Sequence, residues 1–184
     1  MARAAPGARG DVSAPVTDRP LIVTAQLPPE LQARATALRT AHFPPERNFL
    51  AAHVTLFHAI PALCEGELRQ VLKALAREHA PVPAKLLGIM NLGGGTALKL
   101  ESPAMLALRE QIAERFHGML TAQDQHKPRL HVTVQNKVTS SAARALQEEL
   151  GPQIMPQGFA FTGLELFCYL GGPWELLGKW RFSR

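Results

Sequence analysis

No stretch of this sequence approaches the roughly 20 consecutive apolar residues that a membrane-spanning helix requires, so a soluble protein with no membrane partner is expected. Cysteine is almost missing. Cys64 and Cys168 are too few for a disulfide framework and lack the paired spacing of a zinc site. Each sits beside apolar residues and reads as a small buried hydrophobe. No cluster of carboxylates, or of Cys and His, falls at metal-ligand spacing, so neither a metal nor another cofactor is expected. The first 18 residues have no apolar h-region and do not read as a secretory signal. Asp11 and Asp18 interrupt the arginines that an organelle-targeting segment would need. Residues 1–18 are therefore expected to be a disordered tail on a cytoplasmic protein. Acidic residues are in deficit, 15 against 20 Lys and Arg, and the net charge of +5 leaves +4 for the chain after residue 20. A mildly basic folded part suits an anionic ligand such as a nucleotide or an RNA end.

What remains is a globular composition, 46% hydrophobic and 19% charged, over a length that suits one domain or two small lobes. Leu21-Ile22-Val23-Thr24-Ala25 predicts a first strand, and Pro28-Pro29-Glu30 opens a helix carried by Leu31, Ala35, Leu38 and His42. A short strand follows at His53–Phe57. The clearest helix has Leu68, Val71, Leu72, Leu75 and Ala76 on one face. Strands are expected at Lys85–Leu92 and Thr96–Glu101, joined by three glycines able to take positive φ. The order then restarts with a helix from Met105 to Met119, a strand at Leu130–Gln135, a helix at Ser140–Leu150, and a final hairpin of Phe159–Leu170 with Trp174–Phe182. His131 lies 78 residues after His53, and Gly171-Gly172 lies 78 after Gly93-Gly94. The echo runs helix, strand, helix, hairpin, in units of about 28–101 and 106–182, and implies two pseudo-symmetric lobes in a single bilobal domain spanning 19–184.

The chemistry is concentrated in the two strands reading His-Val-Thr. Alternation turns His53 with Thr55, and His131 with Thr133, to one face, and leaves Val54, Leu56, Val132 and Val134 for the core. If the lobes face each other, two imidazoles and two hydroxyls converge. That set suits phosphodiester cleavage or transesterification at a ribose. One imidazole takes a proton from the attacking oxygen and the other protonates the leaving oxygen, roles that an unperturbed pKa of about 6.5 permits. The threonine hydroxyls can donate to the phosphate oxygens that gain charge.

His53-Val54-Thr55-Leu56 and His131-Val132-Thr133-Val134 resemble the paired His-x-Thr-x signature of the 2H phosphoesterase superfamily. Arg19 to Glu30 is similar to the opening strand and helix of that superfamily's bacterial 2′-5′ RNA ligase branch. The resemblance covers roughly residues 19–182. It implies an α/β fold of the α+β type, with two antiparallel sheets about a central cleft and helices outside. It also implies 2′,3′-cyclic phosphodiester hydrolysis or reversible 2′-5′ RNA joining without metal or nucleotide cofactor. An RNA terminus or a small nucleotide would be the substrate, and a monomer is expected. The sequence departs from the family after each motif. Phe57-His58-Ala59 stands where Phe-Leu-Gly is common, and Gln135-Asn136-Lys137 where Ala-Arg is common. Lys137 or Arg129 would then supply the phosphate-directed cation, and Gln135 and Lys137, continuing the alternation of Thr133, are expected on the cleft face.

Other readings of the motifs lead elsewhere: a cyclic phosphodiesterase for a small nucleotide derived from ADP-ribose, or an RNA-binding module that keeps the cleft without turnover. His42, His79 and His117 fall at helix C-terminal ends, where imidazole complements the dipole. His58 alternates away from His53 and is expected in packing or at the surface. His126, Lys127 and Arg129 form a basic loop entering the second motif, as a substrate rim or an ordinary solvated loop. Trp174 and Tyr169 flank the last turn and are expected in core or hairpin packing, with stacking on a base as the alternative.

Overall fold

Each element forms where local chemistry favours it. Pro29 opens helix α1 (Pro29–His42) at a first-turn position, where its missing N–H costs nothing. Strand β1 (Leu21–Gln26) precedes it, and β2 (Val54–Ile60) carries the first motif. Helix α2 (Glu65–Glu78) buries Leu68, Leu72, Leu75 and Ala76 along one stripe. Strands β3 (Val82–Asn91) and β4 (Thr96–Glu101) form a hairpin, with Gly93 at φ +81° in the turn. Helix α3 (Pro103–Arg115) is capped by the Ser102 hydroxyl, which accepts from Met105 N at 3.1 Å, and it ends earlier than Met119, in a 3₁₀ turn at His117–Met119. The short α4 (Ala122–Gln125) leads to β5 (His131–Gln135), and Thr139 caps α5 (Ser140–Leu150). Strands β6 (Gln157–Phe161), β7 (Gly163–Tyr169) and β8 (Trp174–Arg181) complete the chain.

The computed structural model describes residues 19–184; the tail expected at 1–18 lies outside the described residues. Within them are two four-stranded antiparallel sheets and five α-helices, an α+β fold. The sheets are ordered β2-β1-β7-β8 and β5-β4-β3-β6. Each sheet therefore joins strands from both halves of the chain. The β3–β4 hairpin, which follows the first motif in sequence, pairs with β5, which carries the second. The β7–β8 hairpin, which follows the second motif, pairs with β1 beside the first. One continuous hydrophobic cluster fills the space between the layers and includes Val54, Leu56, Val132 and Val134, each at most 1% exposed. Cys64 and Cys168 are buried free thiols. No helix among the described residues is long and apolar enough to cross a membrane.

The strand expected from Phe159 to Leu170 is two strands in different sheets, broken at Thr162. There the chain crosses from one layer to the other. Thr162 N donates to Gln26 O at 2.9 Å, and Phe182 N donates to Thr162 O at 3.0 Å, so the break loses no backbone pairing. Gly163 makes the crossing fit, since a Cβ there would collide with the carbonyl of Trp180 and meet Gln26 Oε1 at 2.9 Å. Apolar composition is the same on both sides of Thr162, so periodicity carries no sign of the break.

Gly163→Ala is expected to lower stability by about 1–3 kcal/mol, the usual cost of forcing atoms into a filled site. Gly158→Ala, where a Cβ would meet nothing within 4 Å, should be neutral or slightly stabilising. Urea unfolding midpoints of the two variants check the contrast, and equal midpoints would show that the crossing tolerates a side chain.

Candidate active site

Both motif strands bulge at the same place. On β2, Thr55 pairs with Thr24 and Phe57 with Val23, so two residues advance against one. On β5, Thr133 pairs with Ala97 and Gln135 with Thr96, again two against one. The extra residues, Leu56 and Val134, occupy corresponding positions in the two motifs. A bulge of this kind reverses the facing of the residues that follow it, on β5 to the end of the strand and on β2 as far as a second irregularity between Phe57 and Ile60. Upstream of it, His53, Thr55, His131 and Thr133 keep their shared orientation, and all four line one open cleft of about 380 Å³.

The reversal decides the fate of the remaining candidates. Gln135 is turned inward, 7% exposed, and accepts from Thr96 Oγ1 at 3.1 Å. Lys137 is exposed in a turn at φ +60°. Neither lines the cleft, which corrects the placement that simple alternation gave them. Arg129 does line it, together with His126 and Lys127. His58, expected in packing or at the surface, is carried to the cleft side by the first bulge. Its Nδ1 lies 3.0 Å from Asp124 Oδ1. Trp174 also joins the site. Its ring lies 4.5 Å from that of His53 and 5.5 Å from that of Phe167. A second concavity of about 370 Å³ adjoins the cleft through His53 and Trp174. It holds the Lys179–Glu165 ion pair, at 2.7 Å, to which Thr24 Oγ1 donates at 3.2 Å.

The two motif imidazoles are held alike. His53 Nδ1 is 2.9 Å from Ala51 O and His131 Nδ1 is 2.7 Å from Arg129 O, in each case the carbonyl two residues back. A carbonyl only accepts, so each Nδ1 must carry the proton. Nε2 is then left for the cleft. The pKa of His53 is lowered to about 4. Burial is the largest cause, opposed by the Ala51 hydrogen bond, and the positive charges of Arg39, His131 and His58 add to the lowering. His53 is therefore neutral at physiological pH.

Two buried arginines that the sequence does not single out hold the motif strands. Arg39 of α1, 4% exposed, donates from Nε to Asn48 Oδ1 (2.9 Å) and Leu50 O (3.1 Å), and from Nη1 to Thr133 O (3.0 Å). It thus fastens the segment entering the first motif to the strand of the second, with its guanidinium 3.9 Å over the Phe43 ring. Burial lowers its pKa, yet arginine stays charged at any pH a folded protein meets. Arg109 of α3, 2% exposed, donates to Leu56 O on β2 at 3.4 Å and to the backbone carbonyl of Asp124, and lies 4.3 Å over the Phe57 ring. Asp124 is buried too. Burial alone would raise its pKa, but the His58 side chain and the His58 and Ala59 amides all donate to the carboxylate and hold it below its ordinary value. No group of three or more His, Cys, Asp or Glu among the described residues is arranged to hold a metal ion.

A family model described as the 2′-5′ RNA ligase superfamily matches residues 27–173. Among solved structures, TT0787 of Thermus thermophilus is similar at 20% identity and a TM-score of 0.60, with 89% of this chain and 97% of that one covered. E. coli LigT complexed with 3′-AMP is similar at 18% identity and a TM-score of 0.59, covering 91% and 99%. LigT complexed with NADP+ gives 17% and 0.57 over the same shares. No curated protein sequence matches the chain.

Arg39→Lys keeps the charge but cannot reach three acceptors at once, and it leaves buried carbonyls without donors. A loss of about 2–4 kcal/mol is expected. A shift of both motifs should accompany it and, on the phosphate-binding reading proposed below, a fall in affinity for inorganic phosphate. Chemical denaturation with calorimetric titration of inorganic phosphate measures the two effects, and an unchanged unfolding midpoint would mean that Arg39 is not the fastening.

Proposed function

Because the chain belongs to the 2′-5′ RNA ligase superfamily, we propose that it is a metal-independent phosphoesterase acting on 2′,3′-cyclic phosphates or 2′-5′ linkages of RNA or nucleotides. His53 and His131 are its acid/base pair. The observation that carries this reading is the matched anchoring of the two imidazoles, each fixed at Nδ1 by the carbonyl two residues back and each lining the same cleft. The family and its neighbours are phosphoesterase and ligase-type proteins, and LigT has been seen with 3′-AMP and with NADP+ bound.

In hydrolysis of a cyclic phosphate, neutral His53 accepts a proton at Nε2 from water as its oxygen bonds to phosphorus. The bond from phosphorus to one ribose oxygen breaks, and His131, protonated, gives its Nε2 proton to that oxygen. The product is a phosphate monoester beside a free hydroxyl. Joining follows the same course with a 5′-hydroxyl in place of water: its oxygen bonds to phosphorus as His53 takes its proton, the bond to the 3′ oxygen breaks, and His131 protonates that oxygen, which leaves a 2′-5′ linkage beside a free 3′-hydroxyl. Low pKa equips His53 for the base role in the free enzyme. Thr55 and Thr133 donate to the non-bridging oxygens, where charge develops. Lys127 and Arg129, which pair with no carboxylate among the described residues, supply positive potential at the rim. Both motifs come from one chain, so the unit of function is a monomer with a single bilobal domain over 19–184. Its free thiols suit the reducing cytoplasm.

Replacing His53 or His131 by Ala should lower turnover of nucleoside 2′,3′-cyclic phosphates by roughly 10²–10⁴-fold with folding retained. The double variant should fall short of the product of the two losses. Near-normal turnover in either single variant removes that residue from the mechanism.

The pH profile should be bell-shaped and unchanged by chelator, since one imidazole must be neutral and the other charged. For kcat/KM the acid limb reports His53 of the free enzyme and is expected at about pH 4. For kcat it should lie higher, because bound phosphate stabilises the imidazolium. Activity abolished by chelator and restored by one metal would replace this mechanism with a metal-assisted one.

A further inference from the structure

The acid/base pair and the threonines leave one built feature of the cleft unused. His58 stands on the cleft face of β2 beyond Thr55. It falls between Phe57 and Ile60, which pair with Val23 and Leu21 where Thr55 pairs with Thr24, so it stands one to three partner residues, roughly 3–10 Å, further along the sheet. Asp124 receives its Nδ1 at 3.0 Å and its backbone amide at 2.9 Å, and also the Ala59 amide at 2.8 Å. These bonds occupy a carboxylate only 1% exposed, while the imidazole remains 42% exposed. Arg109 in turn grips the Asp124 carbonyl, which locks α4 against β2. The result is an imidazole held from behind, with Nε2 unbonded among the described residues and open to the cleft. His126 and Lys127 follow Asp124 closely in the chain and line the same cleft, and Asp124 is the only carboxylate among its lining residues.

A solvated surface histidine has no need of a buried carboxylate, two shared backbone amides and an arginine behind it. Such support fixes the ring where a ligand group must be met, and it binds an anion as the imidazolium, with Nδ1–H on Asp124 and Nε2–H on the ligand. We propose that His58, with Lys127, binds a second, non-reacting phosphate, esterified at the 5′ position of the ribose whose cyclic phosphate reacts between Thr55 and Thr133. The spacing suits it, because the 5′ phosphate is the next anion along a nucleotide chain. This assignment rests on the reading of the cleft as a cyclic-phosphate site and refines its substrate. The preferred ligand carries two phosphates on one ribose, either as a free 5′-phosphorylated nucleotide or as the last residue of an RNA strand.

Calorimetric titration of adenosine 3′,5′-bisphosphate against adenosine 3′-monophosphate tests the site without turnover. Wild-type protein should bind the bisphosphate roughly 10- to 100-fold more tightly, the return on one or two charge-assisted hydrogen bonds. In His58→Asn and in Lys127→Ala that ratio should fall toward one. A wild-type ratio of one overturns the proposal whether or not the variants fold, and so does a ratio that survives in a folded His58→Asn. Kinetics separate the two sources of the phosphate. Both a 5′-phosphorylated nucleoside 2′,3′-cyclic phosphate and a dinucleotide ending in one should exceed the unphosphorylated cyclic nucleotide in kcat/KM. A preference for the dinucleotide alone would place the contact on the preceding nucleoside and refute the phosphate site. Failure to turn over any cyclic phosphate, with the binding ratio intact, would count against the catalytic reading and leave the second phosphate site standing.

Discussion

The buried guanidinium of Arg39 is the constraint on which the geometry of the cleft rests. It is taken out of water on α1 and satisfied by acceptors from three places: the Asn48 side chain, the Leu50 carbonyl and the Thr133 carbonyl. The first two lie in the segment entering the first motif, and the third lies on the strand of the second. A buried charge that loses even one such partner is strongly penalised, so the three must stay together. Leu50 precedes the Ala51 carbonyl that orients His53, and Thr133 is the second motif's hydroxyl residue. One planar cation therefore couples the orientation of one histidine to the position of the opposite strand. Its charge is also among the causes that keep His53 neutral. Arg109 does related work on the first motif's own strand, at Leu56, and on α4, at Asp124.

Much of this was legible in the sequence. The α2 stripe, the bounds of α5, the glycine hairpins and the shared face of His53 with Thr55 and of His131 with Thr133 follow from period and turn chemistry alone. What was not legible has three physical origins, and the first is the bulge. A bulge leaves no mark in composition, yet it reverses the assignments that follow it. Alternation therefore sends Gln135 and Lys137 into the cleft and His58 out of it, and the structure does the opposite. Arg39 and Arg109 were hidden for another reason. On a helix an arginine reads as solvated, and only the assembled strands reveal the carbonyls that make burial tolerable. The break at Thr162 was hidden because both flanking segments are equally good strands.

The cleft differs in character along its length. At one end Trp174 stands over His53 and borders the concavity that contains Glu165 and Lys179. Elsewhere the lining is cationic, and Lys127 and Arg129 continue into a neighbouring groove of about 700 Å³. An aromatic wall offers a face for a flat ring, and a row of cations offers a track for a charged backbone. The proposed acid/base pair, His53 and His131, lines the same cleft as Trp174, Lys127 and Arg129.

The interleaving of the two sheets bears on how the protein is made. β1 is synthesised more than 130 residues before its neighbour β7, with Leu21 set against Cys168. Until the final hairpin exists, β1 and β2 form a two-stranded ribbon with an open edge, and such ribbons are marginal in water. Contacts of long sequence separation must close before they stabilise anything, which slows folding. Neither half of the chain is then a folding unit in its own right, and His53 gains its Trp174 wall only when the last strand docks. A chain that stops before β7 and β8 therefore has β1 unpaired on one side and no Trp174 wall beside His53.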